Sequence, residues 1–225
     1  MRIFNRANAM KTDKLDLRLA DCMELMATFP DGHFDLAVVD PPYGIRRAGQ
    51  PETHTKNPKH KRKHHAVKEW DDGIPGHEYF AELRRVSKHQ IIWGANYFVE
   101  HLIHGSMGWI VWDKGQHGLS MSDCELAYSS FDRATRVKTI NRVELLTEGT
   151  IHPTQKPVKL YSWLLANYAA PGMRVLDTHL GSGSHAIAAH YAGIHLTACE
   201  IDADYFKAAC ERIEKETRQL DFLTP

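Results

Sequence analysis

Residues 34 to 39, Phe-Asp-Leu-Ala-Val-Val, put apolar side chains on consecutive positions after a single acid. A strand with that pattern is covered on both faces, as in a parallel sheet, since strict alternation is needed only where one face meets water. The stretch LDLRLAD (15–21) alternates Leu15, Leu17 and Leu19 and predicts a strand ending at Asp21, with a short helical pattern around Met23 to Met26 after it. HEYFAELRRV sets Tyr79, Leu83 and Val86 on one helical face, and HQIIWG (89–94), GWIVWD (108–113) and DCELAYSS (123–130) predict three strands. In KPVKLYSWLLANYA, Tyr161, Leu164, Leu165 and Tyr168 fall at i, i+3, i+4 and i+7, a helix opened by Pro157 near its first turn. Residues 173 to 216 then run strand, Gly-rich turn, helix, strand, acidic turn, helix. Alternating strands and helices predict a doubly wound, mostly parallel α/β sheet, whose ligands sit at the carboxyl ends of the strands. Residues 131–155 carry no such pattern and are expected to be loop-like.

A chain of 225 residues with 43% hydrophobic content is sized for a single domain spanning 1–225. Lysine plus arginine equals aspartate plus glutamate at 28 each, so net charge alone predicts no polyanionic partner. The positive charge is nevertheless concentrated. From Arg46 to Lys68 there are eight lysines or arginines, four histidines and one acid, Glu52, which leaves 20 basic and 27 acidic side chains elsewhere. The segment 46–76 also carries Pro51, Pro58 and Pro75 without apolar periodicity, and is expected to be a basic mobile loop. Cys22, Cys124, Cys199 and Cys210 form no Cys-x-x-Cys pair, which fits a reducing cytoplasm better than a disulfide framework or a zinc knuckle. No window approaches the ~20 apolar residues of a membrane span, and a metal site is not expected from the histidine spacing.

The stretch VLDTHLGSGSHAIAAHYAGIHLTACEID (175–202) carries the first chemistry. A strand ending in Asp177 that turns through Gly181, Ser182 and Gly183 into a helix brings backbone N–H groups close to a ligand. A second strand ends at Glu200, placed to accept from ribose hydroxyls. The spacing matches neither G-x-G-x-x-G nor G-x-x-x-x-G-K-[ST], so a nucleoside without phosphates fits better than a dinucleotide or a triphosphate.

The second chemistry is Asp40, Pro41, Pro42 and Tyr43, directly after the apolar strand. Asp40 and the Pro41 carbonyl can accept from an exocyclic amine, the prolines stiffen the acceptors, and Tyr43 offers a flat face to a heterocycle. Accepting the protons of an aromatic amine favours a more tetrahedral nitrogen and aims its lone pair at an electrophile.

DPPYG together with DTHLGSG resembles the family of S-adenosylmethionine-dependent amino-methyltransferases that act on the exocyclic amines of DNA bases, and HPTQKP (152–157) is similar to an element of the same family. The catalytic motif precedes the glycine motif, which resembles the β-class arrangement, a circularly shuffled order on a Rossmann-like methyltransferase sheet. The resemblance runs from Leu15 to about Glu216. It implies that Asp40, Pro41, Pro42 and Tyr43 hold the target base. It implies that Asp177, Thr178, Gly181, Ser182 and Gly183 line the methionine end of S-adenosylmethionine, with Glu200 on the ribose and Asp21 where the family contacts the adenine; Cys22, His179 and Ile201 are expected at the same cofactor. His152, Thr154 and Lys156 would border the same pocket. This chain has His179 where the family usually has Phe.

The implied reaction is direct in-line transfer of a methyl group to nitrogen, with no cysteine nucleophile; no cysteine here follows a proline. The expected target is the N6 amine of adenine in double-stranded DNA, because enzymes of the cytosine N4 type more often carry Ser in place of the first Asp of the motif. Cytosine N4 methylation, a non-catalytic DNA-binding relic of the fold, and transfer to RNA or a protein amide are the rival readings. Target recognition is expected within 114–150, and the resemblance implies that a homodimer could form. Trp70, Trp93, Trp109 and Trp112 read as packing groups, with Trp93 left open between core and base stacking. Arg46, Arg47, Lys59, Lys61, Arg62 and Lys63 are expected to contact phosphates. Neutralising Lys59, Lys61, Arg62 and Lys63 together is expected to weaken DNA binding and flatten its dependence on salt, measured as log Kd against log salt concentration; an unchanged slope sinks the assignment.

Overall fold

The computed structural model describes residues 4–6, 8–45, 73–118, 122–141, 144, 151–152 and 154–218. Its centre is built from five parallel strands. They are β3 (Leu15–Leu19), β4 (Phe34–Val39), β5 (Ser87–Trp93), β9 (Arg174–Asp177) and β10 (His195–Glu200). They lie side by side in the order β3-β10-β9-β4-β5. The flanks are mixed. β1 (Phe4–Arg6) and β2 (Ala9–Lys11) extend one edge as an antiparallel hairpin. On the other side β7 (Cys124–Ser129) runs antiparallel to β5 and to β6 (Ile110–Asp113), which pairs in parallel with β8 (Arg136–Thr139) at the edge.

Consecutive burial in β4 follows from helices on both faces. Leu36 and Val38 join Val175, Leu196 and Ala198 under α3 (Val158–Tyr168), α4 (Ser184–Ala192) and α5 (Ala203–Arg218). Ala37 and Val39 join Leu176 and Cys199 under α1 (Cys22–Ala27) and α2 (His77–Val86). Successive side chains of a strand point to opposite faces, so a strand filled on both sides must be apolar throughout. The crossovers decide where a ligand can enter. The path from β9 through α4 to β10 winds towards one edge, and the path from β4 through α2 to β5 winds towards the other, over the opposite face. The winding therefore reverses between β9 and β4, and a crevice opens where their carboxyl ends part.

Several expectations need adjustment. The strand from Leu15 ends at Leu19, because Asp21 turns out of the sheet to cap α1: its carboxylate accepts from the N–H groups of Met23 at 2.7 Å and Glu24 at 3.2 Å. Residues 131–155 were expected to be loop-like, yet Arg136–Thr139 form β8. This edge strand has no fully buried side chain and so lacks the apolar alternation that marks a strand in sequence. Pro157 stands at the N-cap of α3, just outside it. Most of the expected mobile loop (46–72) lies outside the described residues. Among the described residues, no helix is long and apolar enough to cross a membrane.

Leu36 is fully buried in the central strand. Leu36→Ala is expected to lower the free energy of unfolding by about 2 to 5 kcal/mol, read from urea denaturation, as lost transfer energy and a residual cavity add.

Candidate functional site

The pairing of β4 with β9 sets Leu36 opposite Val175 and Ala37 opposite Leu176, so the chain leaves both strands at the same level of the sheet. From β4 comes Asp40-Pro-Pro-Tyr43, and from β9 the turn that begins at Thr178. The Asp40 carboxylate is engaged at both oxygens. Tyr43 donates its hydroxyl to Oδ1 at 2.6 Å, and Lys156 donates its ammonium to Oδ2 at 2.5 Å. Lys156 Nζ also lies 3.2 Å from the Tyr43 hydroxyl and 3.1 Å from Glu125 Oε2. The other oxygen of Glu125 takes Lys114 Nζ at 2.8 Å. A chain of alternating charge thus runs from Lys114, just beyond β6, through Glu125 of β7 and Lys156, just before α3, to Asp40 beyond β4.

The cluster is enclosed, with the Lys156 side chain 2% and the Asp40 side chain 16% exposed. Burial raises the Asp40 carboxyl above its usual range, and the Lys156 ammonium offsets only part of that rise. Burial likewise opposes the charge on Lys156, but Asp40 and Glu125 outweigh it and hold the ammonium above the ordinary lysine value. For Glu125 burial is outweighed by the two lysines, which keep its carboxyl below the usual value. Each buried charge has a partner of opposite sign, the condition under which such groups are retained.

Tyr43 lies against a backbone that only glycine allows. Gly94, at the end of β5, has φ +68°, and a Cβ there would overlap the Tyr43 ring. Tyr97, 43% exposed, stacks on Tyr43 with centroids 5.1 Å apart and planes 17° from parallel, and Phe98 meets the ring by its edge at 6.0 Å. Trp93 is fully buried in the core, so it is a packing group and not a surface for a base. The Lys156 ammonium lies 5.2 Å from its ring centroid and 5.6 Å from that of Tyr43.

Across the crevice, Asp177 accepts the His179 backbone N–H at Oδ1, 3.0 Å, and faces His185 Nδ1 from Oδ2 at 2.9 Å. The Thr178 hydroxyl bonds the Tyr79 hydroxyl at 2.6 Å and His179 Nδ1 at 2.9 Å. Glu200, at the end of β10, accepts from the backbone N–H of Gly181 at 2.9 Å and of Asp202 at 3.0 Å; burial raises its carboxyl. Gly183 serves packing: φ is +75°, and a Cβ would come within 2.9 Å of Ile213 on α5. Ser182 and Ser184 share a hydrogen bond of 3.0 Å, and Arg212 donates to the Ser182 carbonyl at 2.9 Å. Glu200 ends β10 beside Leu19, the last residue of β3, and Asp21 follows two residues later at the cap of α1; burial pushes the thiol of the next residue, Cys22, up to about 11. Ile201 is 63% exposed beside Glu200, an apolar surface next to a row of acceptors.

The segment 152–157 spans both halves. His152 packs its ring on Tyr205 at 4.4 Å, shares a 3.1 Å hydrogen bond with Thr154 and lies beside Gly181. Lys156, expected with His152 and Thr154 at the cofactor pocket, reaches instead to Asp40. Arg46, Arg47, Lys59, Lys61, Arg62 and Lys63 lie outside the described residues. Sequence reading missed Lys114, Glu125, Gly94, Tyr79 and His185. For Glu125 a signal existed: alternation along β7 puts it on the same face as the buried Ala127 and Ser129, where an acid is out of place unless paired.

Residues 109–211 match the family model described as DNA methylase. The "Putative methylase YubD" of Escherichia coli (strain K12) is 26% identical over 212 residues, covering 89% of this chain and 90% of that protein. Two solved structures share the fold. The M1.HpyAVI–SAM complex aligns with a TM-score of 0.58 at 17% identity, over 88% of this chain and 99% of that one. The cytosine-N4-specific PvuII DNA methyltransferase aligns with a TM-score of 0.61 at 14% identity, over 92% of both chains.

Burial lowers His179 from its ordinary 6.5 to about 4. Between those values the unfolded chain binds a proton that the folded chain does not, so this side chain makes stability fall as pH falls from 6.5 towards 4. His179→Phe is expected to flatten the pH dependence of urea midpoints in that window; an unchanged slope refutes the neutral, buried imidazole.

Proposed function

We propose the target and the chemistry of this chain from the premise that it is a DNA methyltransferase of the N6/N4 family, the family matched by residues 109–211. Its methyl donor is S-adenosylmethionine, the group carried by the M1.HpyAVI complex of the same fold. When bound, that group supplies an electrophilic sulfonium methyl. The residues across the crevice suit it. Glu200 at the end of β10 and Asp21 at the cap of α1 stand as acceptors, as ribose and adenine require, with Cys22 and the exposed Ile201 beside them. Asp177, Thr178, His179, Gly181, Ser182 and Gly183 form the turn that would meet the methionine end, flanked by His152 and Thr154.

The acceptor is the N6 amine of adenine, flipped from duplex DNA. Extruding a base costs a few kcal/mol, which phosphate contacts offset. The observation that carries this reading is Asp40 at the switch point: a largely enclosed carboxyl paired with Lys156, across from the glycine turn. Asp40 and the Pro41 carbonyl accept from the amine, and the Tyr43 ring, stacked on Tyr97, holds its hydroxyl on Asp40 Oδ1. With its N–H groups accepted there, the amine lone pair would be freed from the ring and directed at the sulfonium methyl that S-adenosylmethionine would supply. Asp at the first position of the motif favours adenine over the N4 amine of cytosine. We place target recognition within 114–150, consider the chain one domain, and place its action in the cytoplasm, whose reducing conditions suit the free cysteines.

Purified protein with S-adenosylmethionine and unmodified DNA, digested to nucleosides, is expected to yield N6-methyladenine by mass spectrometry. N4-methylcytosine would replace the base assignment, and no methylated nucleoside would overturn the reaction. Asp40→Ala is expected to abolish transfer while cofactor binding, followed by calorimetry, persists.

A further inference from the structure

The amine has N–H groups to donate, yet both oxygens of its proposed acceptor are already engaged, Oδ1 by the Tyr43 hydroxyl and Oδ2 by the Lys156 ammonium. Each oxygen keeps a second lone pair, but an ammonium seated on Oδ2 holds its charge there and competes with the amine for it. Tyr43 is the less mobile donor: its ring is wedged over Gly94 and stacked on Tyr97 and Phe98. Lys156 is a flexible chain end that already touches a second carboxylate, 3.1 Å from Glu125 Oε2 against 2.5 Å from Asp40 Oδ2. We propose that Glu125 is a positioning residue, the seat onto which the Lys156 ammonium moves when the target amine takes Asp40 Oδ2. The proposal rests on the methyltransferase reading above.

Three features of the cluster support the exchange. Lys156 keeps a carboxylate partner in either position, so no stage leaves a buried, unpaired ammonium, which would be strongly destabilising. Glu125 is held ready from behind by Lys114 at 2.8 Å on its other oxygen, and the four groups remain neutral as a set throughout. The rings of Trp93 and Tyr43, 5.2 and 5.6 Å from the ammonium, flank it with negative π faces, so the path between the carboxylates remains favourable to a cation. The consequence for function is a guarded acceptor. Without a base, Asp40 is paired with Lys156; with one, the lysine gives way at Oδ2 while Tyr43 stays on Oδ1.

The test is single-turnover transfer from methyl-labelled S-adenosylmethionine to unmodified plasmid DNA by wild type, Glu125→Gln, Glu125→Asp, Lys156→Met and the Glu125→Gln/Lys156→Met double variant. Glu125→Gln is expected to lower the rate at saturating DNA by about tenfold or more with KM for DNA within about twofold, since the lysine has nowhere to go, and Glu125→Asp recovers part of the loss. With Lys156 already replaced, Glu125→Gln is expected to matter by less than about twofold, because there is no ammonium to relocate. Lys156→Met is also expected to move the acid limb of the rate profile to higher pH, as burial and the nearby Glu125 carboxylate, which raise the Asp40 carboxyl, are then opposed only by the Tyr43 hydroxyl. Equal losses from Glu125→Gln in both backgrounds, or no loss in either, overturn the proposal while leaving the methyltransferase reading intact. An inactive wild type overturns that reading and this one with it. If Glu125→Gln alone fails to fold, the double variant decides: activity equal to that of Lys156→Met supports the exchange, and a much lower activity overturns it.

Discussion

The parallel pairing of β4 with β9 is the constraint on which the site depends. Two strands far apart in sequence, 34–39 and 174–177, lie in contact at the centre of the sheet, with Leu36 opposite Val175 and Ala37 opposite Leu176. Because the crossovers on either side wind in opposite directions, the ends of these two strands are not covered by a connection. A one-residue slip would reverse the faces of β4 and bury Asp35 in place of Leu36, so the apolar pattern itself fixes the level at which Asp40 emerges.

From that level follows a division of labour across the crevice. One side is stiff and charged: two prolines, a tyrosine seated on glycine, and a carboxylate embedded in an alternating chain of ions. The other side is mostly hydrogen-bonded backbone, with Glu200 and Asp177 each receiving main-chain N–H groups. The first arrangement suits the acceptor of an amine, where charge must be held in a defined place. The second suits a nucleoside, whose hydroxyls and ring atoms are read by fixed donors and acceptors.

Much of the frame was legible beforehand because it is local. The unbroken apolar run of β4, the i, i+3, i+4, i+7 face of α3 and the strand-turn-helix around Gly181 each write their geometry into neighbouring residues. β8 was not legible, since a polar strand at a sheet edge is held by its partner's backbone and needs no apolar face. The hairpin of β1 and β2 was missed for a related reason: three residues are too few to show a period.

The sequence alone determined the order and kind of the central elements and the place of the two motifs after their strands, because propensity, periodicity and turn residues act over a few positions. Only the tertiary structure decided which charges meet. Lys114, Glu125, Lys156 and Asp40 come from four separate segments, and nothing within any one of them names its partners. Their meeting depends on strand order and on the antiparallel entry of β7 beside β5. The physical reason is that a long-range ion pair in the interior is selected by the topology that buries it, and each of its members, left unpaired there, would be too costly to keep.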